Sequence, residues 1–554
     1  MNQAIFERNI LSLRRSDPGL AARLVRAAAA ANAGFTLSKT QKTVMVLDTG
    51  EGRRALHSLF DPEKEGQRLL AACARDGFLL FLGFGCAYHI LPCLTRPEIS
   101  RIVILDRDIG LLKAALGEID LRPLFIDPRV CFLVDPAPEE LRSFVLSNYF
   151  PALAGDLRTV ALRPRVEMEK DFFHGCMQII RESLDALSGD FTTQNRFGKK
   201  WFLNTLSNLE AAGKSFAALI PKRGAIVTGA GPSLEYAIAG IKNSRKENLL
   251  IATDTSLPVL LQHDLCPDAV ISMDCQHISY NHFLAGYPEG VPLVLDLASP
   301  PVIARLTQKL IFFTSGNPFS QYLAGRWRQF PFIDTSGGNV SYAAVCLADS
   351  LGAQEIFLYG ADFSYPEGKS YAREAYIYPF FRGRESRVES IESLFAHFLF
   401  RGPVSAVWEN GCVRYTGAGM LHYRERLENL CGALRARLVP CPGKGEPIVM
   451  KNPARENPPR PRGGGALRSF AAESGKGSWR EFLAAYRESL RALPPPHKPV
   501  MSYLHGLSKE EKDVWTTLLP VTAACFRPPA EKPDAPELLE LARSWALKTI
   551  ERFL

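Results

Sequence analysis

Between Gly224 and Leu234 the chain passes from a run of β-favouring residues, Ala225-Ile226-Val227-Thr228, through Gly229-Ala230-Gly231-Pro232-Ser233. It then enters an apolar pattern at Leu234, Ile238 and Ile241 with helical spacing. A strand, a tight glycine turn and a helix start, in that order, point to an α/β domain. Glycine lets the backbone approach a ligand closely, and the amides of a helix N-terminus suit a phosphate. Ser233 can cap the helix or hydrogen-bond a ligand oxygen. The alternative is an ordinary strand-to-helix turn that carries no ligand. The loop lies near the middle of the 554 residues, so another region precedes the domain it belongs to.

The strand pattern repeats downstream at Leu249–Asp254, Ala269–Asp274, Leu293–Asp296, Leu310–Thr314 and Glu355–Gly360, with helical stretches between, as in a parallel sheet. Two successive strands end in Asp254 and Asp274. Ligands of open α/β sheets bind at the carboxyl edge, so both carboxylates are candidates to face the crevice of the Gly229–Ser233 loop; each could also merely cap its own loop. Asp334-Thr335-Ser336-Gly337-Gly338-Asn339 opens the helical stretch Val340–Ser350 and can present backbone amides to the same ligand.

Upstream, Phe78–Leu82, Ile102–Asp106 and Val130–Asp135 alternate with helical patterns in a βαβαβ unit. Gly83-Phe84-Gly85 followed by Asp106 imitates a dinucleotide or methyl-donor fingerprint, in which a carboxylate about 20 residues on takes a ribose hydroxyl. The third glycine is missing, which favours a Rossmann-like scaffold over a working cofactor site. The expected layout is an N-terminal domain over 1–160 containing this unit, a helical connector over 161–217, a central domain over 218–435, a linker over 436–465 rich in Pro, Gly and basic residues, and a helical C-terminal domain over 466–554. The fold class is thus multi-domain α/β. Within the connector, Asn204 and Asn208 share a helix face with Trp201, as an interdomain contact or a ligand edge. Residues 373–415 interleave Arg373, Arg382, Arg384 and Arg387 with Tyr376 and Tyr378, which reads as a lid or acceptor surface near an anion, or as a solvated basic face.

The bulk numbers exclude some classes. A net charge of +8 over this length is too dilute to argue for nucleic acid. Twelve cysteines without a CxxC pair read as reduced, mostly buried thiols of a cytoplasmic protein. No signal segment is visible, and the uncharged stretch Gly77–Thr95 contains Gly83, Gly85, His89 and Pro92, as a buried strand and loop would and a membrane span would not. Homo-oligomerisation stays open.

Gly229-Ala230-Gly231-Pro232-Ser233-Leu234, Asp254, Pro267-Asp268 with Asp274, the Ser336–Asn339 loop and Gly360-Ala361-Asp362-Phe363 together resemble the Maf motility-associated proteins, bacterial flagellin glycosyltransferases. More distantly they are similar to bacterial sialyltransferases that use CMP-sialic acid. The likeness covers about residues 190–430. It implies a sialyltransferase-like central domain and transfer of pseudaminic or legionaminic acid from its CMP ester to Ser or Thr hydroxyls of flagellin, with no metal or resident cofactor.

The sialyltransferase likeness also implies site residues. Gly229, Ala230, Gly231, Pro232 and Ser233 would hold the cytidine nucleotide, with Ser336, Gly337, Gly338 and Asn339 beside it. Tyr365 and Tyr371 reproduce a six-residue tyrosine spacing that binds the leaving phosphate in the relatives, and two phenol donors can stabilise developing charge without a metal. The relatives carry Asn where Asp254 and Asp274 stand. Their general base is a histidine; His422 is the positional candidate, with Asp362 and His282 as alternatives. The same domain resembles archaeal 6-hydroxymethylpterin diphosphokinases, in which case Asp254 and Asp274 would hold Mg²⁺ on ATP. A non-catalytic flagellin-binding scaffold is the third reading.

Overall fold

The computed structural model describes residues 2–450 apart from 51, 72, 74, 75, 216 and 410, together with 477–526 and 534–554. The chain forms two compact units, residues 1–198 with 489–547 and residues 199–488 with 548–554. It is mixed α/β, with two parallel sheets and a helical C-terminal region. Among the described residues no helix is long and apolar enough to cross a membrane. All twelve cysteines are free; five are buried, six half-buried, and Cys266 is exposed, so fewer are fully buried than expected.

In the first unit, the strands Val130–Val134, Arg101–Asp106, Asp76–Leu82 and Asp156–Ala161 lie side by side in that order as a parallel sheet. Phe78 to Leu82 are buried on both faces, as the unbroken apolar run requires. The mouth of this sheet is filled from within. Asp106 Oδ2 accepts from the Phe84 amide at 2.8 Å, and Oδ1 accepts from Arg165 Nη2 at 2.8 Å and Nε at 3.1 Å. A Cβ at Gly83 would come 2.8 Å from Arg165 Cγ, and one at Gly85 2.6 Å from His57 Nε2. The glycines therefore make room for protein side chains.

The C-terminal helices do not stand apart as a domain over 466–554. Val500–Gly506 and Lys509–Cys525 belong to the first unit. Asn195 Nδ2 donates to the carbonyls of Ala523 and Phe526, and a Cβ on Gly198 would sit 1.8 Å from the Pro520 carbonyl oxygen. A close helix approach at a glycine ties these distant stretches of sequence together. Residues 466–476 and 527–533, with Pro528 and Pro529, lie outside the described residues.

The second unit is built on seven parallel strands: β1 (Gly224–Thr228), β2 (Asn248–Thr253), β3 (Ala269–Ser272), β4 (Leu293–Asp296), β5 (Leu310–Phe313), β6 (Glu355–Tyr359) and β7 (Arg437–Pro440). Their order is β5-β4-β3-β2-β1-β6-β7. From β1 the chain winds outward to β5, then returns to place β6 on β1's other side, with Leu358 beside Val227 and Tyr359 beside Thr228. The β1/β6 seam is therefore the topological switch point, where loops diverge at the carboxyl edge. Helix Val340–Ser350 buries Ala343, Ala344, Leu347 and Ala348 in the core on one sheet face. β7 falls in the stretch expected as linker. Leu438 and Val439 pair with Ile356 and Phe357, so the sheet continues past residue 435, and 451–465 lie outside the described residues. The connector over 161–217 is mostly one helix, Lys170–Lys214, whose residues divide between the units at 198/199.

An insertion after β6 forms a small antiparallel sheet in the order Tyr365–Pro366, Cys412–Gly417, Val404–Glu409, with helices Ile377–Arg382 and Ile391–Leu399. From 373 to 415 it carries six arginines and five glutamates, so the positive charge read from the arginines is nearly balanced.

Candidate active site

The glycine loop is bonded mainly to its own protein. The Gly229 amide donates to the Tyr359 carbonyl and the Gly231 amide to the Gly360 carbonyl, both at 2.8 Å, across the switch-point seam. Pro232 has no N–H, and the Ser233 amide donates to Asp362 Oδ2 at 2.8 Å. A Cβ on Gly231 would lie 2.3 Å from that carboxylate oxygen. The anion at the start of helix Leu234–Ser244 is thus the side chain of Asp362, in the place where a phosphate was expected. Ser233 Oγ accepts from the Lys444 amide at 2.7 Å. Burial raises the Asp362 pKa, and the Ser233 and Gly445 bonds pull it down. Asp362 is buried and bonded in this way, and Ser233 Oγ already accepts from the Gly443–Glu446 stretch that packs onto the loop.

A second group of ionisable side chains lies along the carboxyl edge beside it. Asp254, just after β2, is buried; its Oδ1 accepts from the Thr255 amide at 2.7 Å and its Oδ2 from Ser272 Oγ at 2.7 Å. His282, in the 3₁₀ turn His277–Phe283 beyond β3, places Nδ1 3.2 Å from Asp254 Oδ2, and that buried nitrogen makes no aligned hydrogen bond. Asp274 accepts from the Gln276 amide at 2.8 Å. Its pKa is raised by burial and by the charge of Asp254, against the lowering effect of His282 and the Gln276 bonds. At the next strand end Asp296 is buried and pushed up to about 6 by desolvation.

The far side of His282 meets a run of phenols. Tyr376 stacks at a tilt on His282 with ring centroids 4.4 Å apart, and Tyr371 meets Tyr376 edge-on at 5.8 Å. Burial raises the pKa of Tyr371 and Tyr376 alike; Asp254 and Asp274 raise Tyr376 further. Tyr365, at the start of the insertion's small sheet, is also raised by burial, while the positive charge of Arg401 lowers it. Asp254, Asp274, His282, Tyr376, Tyr371, Tyr365 and Arg401 therefore form one electrostatically linked group.

Two helix-face amides hold this edge in place. Asn204 Nδ2 donates to the carbonyls of Cys275 and Ala298, and Asn208 Nδ2 to those of Leu297 and Ser299, all within 3.0 Å. The i, i+4 pair clamps the loops after β3 and β4. The Ser336–Asn339 loop is likewise partly committed. Asn339 caps helix Val340–Ser350 by accepting from the Tyr342 amide at 3.0 Å, the Ser336 amide donates to Asp334, and Arg426 donates to the Ser336 carbonyl. Gly337 is buried, whereas Ser336 and Gly338 are exposed. Gly338, at φ +77°, lies so close to Tyr423 that a Cβ would stand 3.0 Å from its ring. His422 beside it points outward and is exposed. The imidazole in the phenol group is His282. Tyr376 had registered only as part of an Arg/Tyr-rich stretch, and Arg401 had no signal beyond following Phe398 and Phe400.

Comparison with known proteins agrees with this architecture. A model of the 6-hydroxymethylpterin diphosphokinase MptE-like family matches residues 200–368. One uncharacterised protein of Treponema pallidum (strain Nichols) is 30% identical over 182 residues, 32% of this chain and 65% of its own. Another is 34% identical over 172 residues, 30% of this chain and 80% of its own, and a third is 22% identical over 240 residues, 43% and 53% of the two chains. The chain thus spans under two thirds of the first and third of these relatives. A solved structure, that of a Maf glycosyltransferase from Magnetospirillum magneticum AMB-1, superposes over 100% of this chain and 91% of that one with a TM-score of 0.59 at 14% identity.

The fold is that of a Maf-type chain built around an MptE-like central domain. The chain belongs to the family that includes the second Treponema protein.

Proposed function

We propose that the chain is a glycosyltransferase that moves pseudaminic or legionaminic acid from its CMP ester to Ser or Thr hydroxyls of flagellin. The observation that carries the reading is the placement of His282, with a buried carboxylate on one side and a connected set of phenols on the other. In the reaction the acceptor oxygen attacks the anomeric carbon while the bond from that carbon to the phosphate oxygen breaks. The electron pair leaves with the phosphate, and the hydroxyl proton passes to His282. Asp254 orients the imidazole and stabilises it once it is charged, as a buried carboxylate does for a catalytic histidine. Tyr365 and Tyr371 donate to the departing phosphate, and the raised phenol pKa values keep both protonated for that task. The Maf fold and the flagellin resemblance support the acceptor class, and a cytoplasmic location, where CMP-sugars are available, goes with it.

The match to the MptE-like family favours one second reading, an ATP-dependent pyrophosphoryl transfer to a pterin. For that, Asp254 and Asp274 would have to turn from the Thr255, Ser272 and Gln276 bonds towards a metal ion. Incubation with each CMP-sugar and unmodified flagellin, with and without EDTA, followed by mass spectrometry of the flagellin, separates the readings. A sugar-sized mass gain that survives EDTA supports the transferase. AMP released from Mg-ATP and a pterin, without any gain, supports the kinase. Flagellin binding with turnover of neither donor leaves a scaffold.

A further inference from the structure

Arg401 follows helix Ile391–Leu399 and precedes strand Val404–Glu409. Its guanidinium carbon lies 4.3 Å from the centre of the Phe398 ring, and Phe398 in turn stands 6.3 Å from Tyr371. The positive charge of the guanidinium also lowers the Tyr365 pKa against the raising effect of burial. Many arginines of this unit are tied to carboxylates: Arg414 and Arg424 to Glu446, Arg435 to Asp349, Arg437 to Glu355. Among the described residues Arg401 has a ring contact and no carboxylate partner. It is solvent-exposed.

The linked group is consequently polar end to end. Arg401, Tyr365 and Tyr371 offer donors and a positive charge at one end, Asp254 and Asp274 put carboxylates at the other, and Tyr376 bridges them. We infer that Arg401, with Tyr365 and Tyr371, forms the binding site for the phosphate of a nucleotide monoester, which sets the leaving group at the Arg401 end and the acceptor hydroxyl at the Asp254–His282 end. The direction of reaction rests on the transferase reading; the phosphate site does not. A phenol donates a hydrogen bond to an oxyanion but brings no charge, whereas guanidinium brings charge and a planar fork that fits phosphate. The need is greatest as the donor's phosphodiester, with one charge, becomes a monoester with nearly two. The reverse placement would set that growing charge against Asp254 and Asp274.

The test is calorimetric titration of the full chain with cytidine, CMP, adenosine and AMP, in the wild type, Arg401→Gln and Arg401→Lys. The expected result is a monophosphate bound about tenfold or more tightly than its nucleoside, a ratio that collapses to within about threefold in Arg401→Gln, with nucleoside affinity unchanged, and is partly kept by Arg401→Lys. A ratio that persists in Arg401→Gln overturns the inference. So does the absence of phosphate preference in the wild type, or an equal fall in nucleoside and nucleotide affinity. A collapsing ratio for AMP alone upholds the phosphate site and overturns the cytidine donor.

Discussion

His282 Nδ1 stands 3.2 Å from a buried carboxylate without an aligned bond, a looseness that catalytic pairs often show before substrate arrives. If it is the base, His282→Gln should cut transfer by about 10²–10⁴-fold with nucleotide affinity nearly intact, and Asp254→Asn should cut it also. His422→Gln, altering an exposed side chain outside the linked group, should match the wild type in initial rates followed by mass spectrometry. Equal losses in the two histidine variants would reject the assignment. Asp296 supplies a test of pH dependence at the same scale. Its carboxyl titrates at about 6 against an ordinary 3.8, so the folded chain binds this proton more tightly than the unfolded chain does. Ionisation therefore lowers stability as pH rises from roughly 4 to 6, and the loss, on the order of 3 kcal/mol, is complete above that window. Asp296→Asn, which can keep the bond from the Ala298 amide at 2.7 Å, should raise the melting temperature at pH 7.5 and change it little at pH 4. A gain of the same size at both pH values would mean the substitution acts through packing.

At the level of elements, the clamp from helix Lys170–Lys214 decides whether the carboxyl edge keeps its shape. Asn208→Ala would leave the buried Leu297 and Ser299 carbonyls without their amide donor, at about 1–3 kcal/mol for each group. The expected loss of about 2–6 kcal/mol is measurable by urea unfolding, and the β4 loop should become accessible to amide exchange before β1 and β2 do. An unchanged exchange pattern would show that the loops hold themselves. This clamp illustrates what the sequence makes legible and what it does not. The strands β1 to β6, the helix after each glycine turn and the asparagine pair follow from local pattern, because burial on both sheet faces and 3.6-residue spacing write themselves into neighbouring positions. Partners 60 or more residues apart leave no such mark. Nothing local tells that Asp362 fills the anion position of the Gly229–Ser233 loop, that Leu438 and Val439 extend the sheet, or that His282 and not His422 meets the tyrosines.

Across the whole chain, the two parallel sheets look alike in sequence, each with a glycine turn and an aspartate at a strand end, yet their mouths differ. In the first unit Arg165 occupies the place in front of Asp106 where a ribose would bind, and both side chains are buried. In the second, the linked group runs along the carboxyl edge from buried Asp254 to exposed Arg401. The chain should accordingly show no thermal stabilisation by NAD, NADP or S-adenosylmethionine, and stabilisation by a nucleotide should vanish with substitutions at Tyr365 and Tyr371 but not at Gly83 or Gly85 that leave the fold intact. The Asp106–Arg165 pair itself can be dissected. Arg165→Met leaves a buried carboxylate without its cation and should cost about 3–5 kcal/mol, whereas Arg165→Met with Asp106→Leu removes both charges and should recover most of that loss. Urea unfolding of the full chain at pH 7.5 reads both variants. If the double variant were as unstable as the single one, the pair would be holding the glycine turn by geometry and not by charge compensation, since the bond from the Phe84 amide to Asp106 would then be what the sheet's mouth requires.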